Sequence, residues 1–216
     1  MNGSIKITPL LVGDLTAEGY PMPVYVHLIE HPEATILVDS GFTEIHPAAA
    51  SLDPQPHPLN EHAFDLDSVD IVVNTHLHFD HCGGNHLFPG IPIYVQRQEL
   101  DDARTEDGYT IREWVDPPGT HYVPVDGELE LLPRVRLLPA PGHTRGSQIV
   151  VVESGERPTI IAGDTAVWFG ELDNPVTEGQ LLIRALQPEH VWITHEHTPW
   201  AAAPLHENTD KLHPER

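Results

Sequence analysis

Basic residues are scarce in this sequence, and so is cysteine. Only 11 Lys and Arg stand against 33 Asp and Glu, a formal net charge of −22, and Cys82 is the single thiol among 216 residues. A field of that sign repels phosphate backbones, and the few Lys and Arg are scattered singly, so no nucleic-acid partner is expected. One cysteine excludes an internal disulfide framework and any four-cysteine zinc site. Long hydrophobic runs are also missing: nothing approaches the ~18 apolar residues of a membrane span. The start, Met1-Asn2-Gly3-Ser4-Ile5-Lys6, lacks a basic region followed by an apolar stretch, so the expectation is a cytoplasmic protein without a membrane partner. What is plentiful is histidine, 16 residues in all, and imidazole is the commonest metal-ligating side chain. Any metal must be held by histidine and carboxylate.

A content of 39% hydrophobic residues suffices for a core at this length. Short apolar, β-branched runs recur at 5–11, 24–29, 35–38, 69–73, 91–95, 135–138, 148–152, 159–162 and 190–194, separated by Gly, Pro, Asp and Asn. Helical patterns are fewer, at 96–104 and at 177–186, where Leu181, Leu182, Ala185 and Leu186 form one apolar stripe. The stretch 43–67, with Pro47, Pro54, Pro56 and Pro58, reads as a long loop with a short helix at 47–52, of the kind that covers a site. Neither a repeat nor a Gly/Ser linker divides the chain. The expectation is one domain over 1–216, with a polar tail from about Pro204.

The densest chemistry lies in Asn74-Thr75-His76-Leu77-His78-Phe79-Asp80-His81-Cys82-Gly83-Gly84-Asn85, directly after the apolar strand 69–73. In extended backbone His76 and His78 project to the same side and can share one metal. A turn at Phe79 brings Asp80 and His81 to the same cavity, offering an oxygen and a nitrogen to a second ion, and Gly83 and Gly84 permit close backbone approach. A lone His-x-His is readily explained as a solvated turn; His-x-His-x-Asp-His between an apolar strand and Gly-Gly is not. Three further residues each end an apolar run: His143 in Ala-Pro-Gly-His, Asp164 in Ile-Ile-Ala-Gly-Asp and His195 in Val-Trp-Ile-Thr-His. Singly, each is ordinary; strand ends converging on one sheet edge make them a set.

This series, His76-x-His78-x-Asp80-His81 followed by His143, Asp164 and His195, resembles the ligand set of the metallo-β-lactamase superfamily, and Ile36-Leu37-Val38-Asp39-Ser40-Gly41 resembles its strand and Asp-x-Gly turn. The resemblance implies an α+β fold, a four-layer αββα sandwich with the metals at one edge. Within the superfamily, the segment 22–32 together with His78-Phe79-Asp80-His81 is similar to the N-acyl homoserine lactonase, or quorum-quenching, branch. Carried over residue by residue, the resemblance implies that His76, His78 and His143 hold one divalent ion, and Asp80, His81 and His195 the other, with Asp164 bridging. Zinc is the expected metal, with Mn, Fe or Co able to use the same ligands. The two carboxylates and a bridging hydroxide against two divalent ions leave a centre of about +1 by formal counting.

The implied reaction is hydrolysis of a neutral lactone or ester, best an N-acyl homoserine lactone. The bridging hydroxide attacks the carbonyl, Asp80 carries the proton to the leaving group, and Asp39 orients a ligating imidazole. One departure stands out: related lactonases place a tyrosine shortly after the bridging aspartate, whereas Asp164 is followed by Thr165-Ala166-Val167-Trp168-Phe169. Phe42, Trp114 and Trp168 are the expected acyl-chain pocket. A glyoxalase II-like thioester hydrolase and a mononuclear-iron persulfide dioxygenase share the motif, but bind anionic glutathione, which the charge disfavours. A non-catalytic metal-binding protein on the same fold is the reading from a different class, weakened by the intact set of seven ligands. Cys82 reads as a small buried thiol. The oligomeric state, a homodimer included, stays open.

Overall fold

The structure is a computed structural model that describes residues 3–201; the polar tail expected from about 204 lies outside the described residues. The first two apolar runs extend into a long antiparallel hairpin, β1 (Lys6–Ala17) and β2 (Tyr20–Glu30). Its tip, Glu18-Gly19, has φ of 53° and 84°, the sign pattern of the two-residue turn whose twist suits a hairpin. β3 (Thr35–Val38) pairs antiparallel with β2, and β4 (Gln55–Pro56) adds to the outer side of β1. On the other side β5 (Ile71–Val73), β6 (Pro92–Gln96) and β7 (His121–Val125) continue in parallel. The sheet order is β4-β1-β2-β3-β5-β6-β7.

The second sheet holds β8 (Leu129–Leu132), β9 (Val135–Pro139), β10 (Gln148–Val152), β11 (Thr159–Ile161) and β12 (His190–Trp192), in the order β12-β11-β10-β9-β8. β9 and β11 both run antiparallel to β10, and β12 runs parallel to β11. β9, β11 and β12 therefore end at the same edge, the edge that carries His143, Asp164 and His195. The helices are α1 (Phe79–Cys82), α2 (Arg97–Thr105), α3 (Phe169–Asp173) and α4 (Glu178–Ala185). α4 opens on a capping box in which Thr177 and Gln180 satisfy each other's backbone N–H groups.

Side-chain alternation explains the layering. In β10 every residue is buried, but Val150 and Val152 join Ile29, Ile36, Val38 and Val73 between the sheets. Ile149 and Val151 point outward to Leu172 of α3 and Ile183 of α4. A strand apolar on both faces must be covered on both, each fully buried side chain contributing about 1.5–3 kcal/mol. On the outer face of the first sheet, Val24, Val26, Leu37 and Val72 pack beneath Phe42 and Leu59. Leu100 and Ala103 of α2 cover Leu77 and Cys82. The result is the α+β, αββα sandwich. Among the described residues no helix is long and apolar enough to cross a membrane.

Candidate metal centre

Each ligating side chain expected from sequence sits just past a strand end. His76 and His78 follow β5, α1 carries Asp80 and His81, and His143, Asp164 and His195 follow β9, β11 and β12. Three groups of ligand atoms result, two outer ones and one that joins them. His76, His78 and His143 form one, Asp80, His81 and His195 another, and His76, His81 and Asp164 a third between them; within each group the atoms lie within 4.8 Å of one another. The Asp164 carboxylate stands between the outer groups. Its Oδ2 is 3.7 Å from His143 Nε2 and 3.2 Å from His195 Nε2, and its Oδ1 is 3.4 Å from His81 Nε2. Asp80 Oδ2 lies 3.5 Å and 3.6 Å from the Nε2 atoms of His81 and His195.

The other ring nitrogens of His81 and His195 are tied down, which aims their Nε2 atoms inward. His81 Nδ1 is 2.9 Å from Asp39 Oδ2, and His195 Nδ1 is 2.9 Å from the Pro23 carbonyl of β2. Asp39, buried with φ 60°, also accepts the Thr75 N–H and hydroxyl at 2.7 Å each, so one carboxylate fixes the motif's first turn and the His81 tautomer. Ser40, Asn85 and Asn74 extend the scaffold: Ser40 donates to Asn85, Asn85 to Asn74, and Asn74 to the His81 carbonyl. Gly84 has an ordinary negative φ. Its role is contact: a Cβ there would lie 2.2 Å from the Ser40 carbonyl oxygen.

Whether these residues suit a cation is tested by what they leave unpaired. Buried polar atoms are normally hydrogen-bonded, yet His76 Nε2, His81 Nε2 and Asp164 Oδ1 have no partner. Three orphaned atoms converging on one spot are costly without a cation and natural with one. The electrostatics differ between the two sides. Burial and the neighbouring imidazoles hold His76 well below the usual histidine pKa, and burial pushes His78 down to about 4. These rings are neutral lone-pair donors at physiological pH. Burial also opposes charging of His81 and His195, but Asp164 and Asp80 outweigh it and raise both. An arrangement that attracts protons attracts metal ions for the same reason.

Beside the ligands lies a cavity of about 290 Å³, walled on its apolar side by Leu15, Ala17, Met22, Leu52 and Phe79 and closed by His78, Tyr109 and His143. Leu52 comes from the 47–52 turn of the proline-rich loop. The aromatic residues expected to form this pocket lie elsewhere. Phe42 is in the core against Phe79, Trp114 lines a separate cavity with Glu44 and His86, and Trp168 is 59% exposed, N-terminal to α3. The cavity's phenol, Tyr109, was not anticipated; its hydroxyl donates to Glu99 at 2.5 Å. The Cys82 thiol donates weakly to the Leu77 carbonyl, and burial drives its pKa up, away from thiolate chemistry.

Residues 19–176 match the model of the metallo-beta-lactamase superfamily. The chain belongs to that superfamily, and with its two-sided His/Asp cluster it is a metallohydrolase. More particularly, it is similar to an N-acyl homoserine lactonase of Bacillus sp., 30% identical over 173 residues, 72% of this chain and 68% of that protein. A Bacillus thuringiensis N-acyl homoserine lactonase is 31% identical over 157 residues, 65% of this chain; the chain spans 62% of that relative's length. In fold it resembles a quorum-quenching N-acyl homoserine lactone lactonase, with a TM-score of 0.76 at 24% identity over 90% of this chain and 94% of that one. A dizinc quorum-quenching lactonase bound to its hexanoyl homoserine product gives a TM-score of 0.66 at 15% identity, over 90% and 88% of the two chains.

Proposed function

We propose that the chain opens a neutral lactone or ester, best an N-acyl homoserine lactone, at a site holding two divalent ions, with zinc the preferred metal. The observation that carries this reading is the convergence of the orphaned atoms around Asp164, beside a cavity whose far wall is apolar. His76, His78 and His143 hold one ion, Asp80, His81 and His195 the other, and Asp164 serves both. When bound, the ions supply Lewis acidity and a hydroxide nucleophile at neutral pH. No serine or cysteine nucleophile is needed, in keeping with the unreactive Cys82.

The protein's own residues do the remaining work. Leu15, Met22 and Leu52 take the acyl chain, which orients the ester carbonyl towards the carboxylate side of the cluster. Asp80 lines the cavity, and its carboxylate holds the proton delivered to the departing alkoxide oxygen. His81 and His195, fixed through Nδ1, keep their inward nitrogens in place as charge shifts. With 11 Lys and Arg against 33 Asp and Glu, the chain has little to offer a glutathione carboxylate, which favours the neutral substrate.

The test is to measure metal content alongside initial rates on acyl homoserine lactones, simple γ- and δ-lactones, glutathione thioesters and an aryl phosphodiester. About two ions per chain with lactone turnover is the expected result. One iron per chain with oxygen uptake on glutathione persulfide overturns it in favour of a dioxygenase. Full metal loading with no turnover of any member overturns the enzymatic reading.

A further inference from the structure

Glu99 is a carboxylate with no exposed surface, set on the apolar face of α2 beside Leu100 and Ala103. Its Oε1 accepts the Leu77 N–H at 2.8 Å and the Tyr109 hydroxyl at 2.5 Å, and its Oε2 accepts the Thr144 hydroxyl at 2.6 Å. These partners are not scattered. Leu77 lies between His76 and His78, Thr144 follows His143, and the Tyr109 ring is 5.4 Å from that of His78. All three imidazoles of one group thus stand one residue from an atom held by Glu99.

The helix and the 143–147 loop are also in direct backbone contact. A Cβ at Gly146 would lie 2.2 Å from the Glu99 nitrogen, so only glycine lets the loop approach this closely. On the other side of the cluster Asp39 holds His81 directly. The two carboxylates share no hydrogen-bond partner and differ in reach: Asp39 also holds Thr75, next to His76, whereas Glu99 holds Leu77 and Thr144, next to all three imidazoles of the other group.

We infer that Glu99 is the positioning residue of the three-histidine group: it locks the two chain segments that supply His76, His78 and His143 into one geometry, and through Tyr109 it fixes a wall of the substrate cavity. The inference rests on the metal-ligand assignment above and is independent of which substrate is hydrolysed. It assigns Glu99 no contact with substrate or metal. Burying an ionised carboxylate is costly, and three donors converging on it offset that cost. A glutamine can keep the arrangement. Its carbonyl accepts from Leu77 and Tyr109, and its amide donates to Thr144, whose hydroxyl can turn to Ser147 Oγ, 2.6 Å away.

The experiment is titration of Co²⁺ into the chelator-stripped full chain, followed by calorimetry and visible absorption, for wild type, Glu99→Ala, Glu99→Gln, Thr144→Val and Asp39→Asn. The expected result is two binding events in wild type. Glu99→Ala weakens one of them about 10–100-fold, the usual effect of losing a ligand's outer partner, while Asp39→Asn weakens chiefly the other. Glu99→Gln returns towards wild type, and Thr144→Val, which cuts one of the three links, weakens the same event as Glu99→Ala but less. If Glu99→Ala fails to fold, Thr144→Val decides by the same criterion. Uniform weakening of both events, or no change in either, overturns the inference. A wild-type chain that takes up one ion or none overturns it together with the metal-ligand assignment. Two ions taken up without lactone turnover remove the substrate proposal alone, and the inference then stands or falls on the variants.

Discussion

The two sides of the cluster solve one problem with opposite electrostatics. On one side three imidazoles crowd together, His78 and His143 with ring nitrogens 3.1 Å apart, and burial keeps His78 discharged down to about pH 4. On the other, Asp80 and Asp164 face His81 and His195 and raise their affinity for a proton. The first side offers lone pairs without charge, the second offers charge, and Asp164 touches both. On the proposed lactone reading, a substrate carbonyl approaching such a centre meets an asymmetric field, and asymmetry is what separates polarising one oxygen from stabilising another.

The largest effect follows from removing what the sides share. Asp164→Ala is expected to lower kcat/KM by about 10³-fold, because several kcal/mol of transition-state stabilisation depend on both ions being held; stopped-flow or pH-stat assays on the preferred lactone measure it. Breaking one side alone does less. Asp39→Asn, which loosens His81, should cost about 10–100-fold in activity at limiting metal and be largely rescued by excess metal. Loss that excess metal does not rescue would show that Asp39 acts on folding instead.

A buried imidazole outside the cluster sharpens the contrast. His27 of β2, between the sheets against Trp192, has no partner for Nε2, and burial lowers its pKa to about 3. With the folded value below the unfolded one, near 6.5, its neutral form costs nothing above pH 6.5. As pH falls towards 3 the unfolded chain binds a proton that the folded one refuses, and stability drops by about 1.4 kcal/mol per pH unit. His27→Leu should flatten that slope in urea denaturation curves between pH 6.5 and 4; an unchanged slope would assign the acid sensitivity to the cluster. The smallest effects lie in the cavity. Met22→Ala should lower the ratio of long-chain to short-chain lactone turnover by roughly fourfold per lost methylene contact. Trp168→Phe should leave that ratio unchanged, since its ring lies over Gly170 and away from the cavity.

The same contrast between interior and edge governs what could be read from the sequence. Runs 35–38 and 148–152 coincide with β3 and β10, strands whose residues are buried on both faces or nearly so. The strands with no sequence signal, β4, β7 and β8, are all sheet edges. There one side is solvated, so Pro56, Pro124 and Glu130 are tolerated and the apolar run disappears. β1 outruns its expected end at 11 because Gly13 and Asp14 interrupt the pattern where the register with β2 shifts. In the cluster, spacing and strand ends pointed to residues that the fold brings together. Glu99 and Tyr109 were not legible in this way, because their partners are backbone and hydroxyl groups dispersed along the chain. The available signal was a carboxylate on the apolar stripe of α2. The pocket aromatics misled because large apolar side chains fill cores as readily as they line cavities.

Asp164 stands between the two sides, within 3.7 Å of His143 and 3.2 Å of His195. The most direct measurement is metal stoichiometry by mass spectrometry of the intact protein under native conditions, wild type beside Asp164→Ala. If Asp164 serves both sides, the wild type holds two ions per chain and the variant fewer than two, with the fold retained by circular dichroism. Two ions in both proteins, or one ion in both, would contradict it.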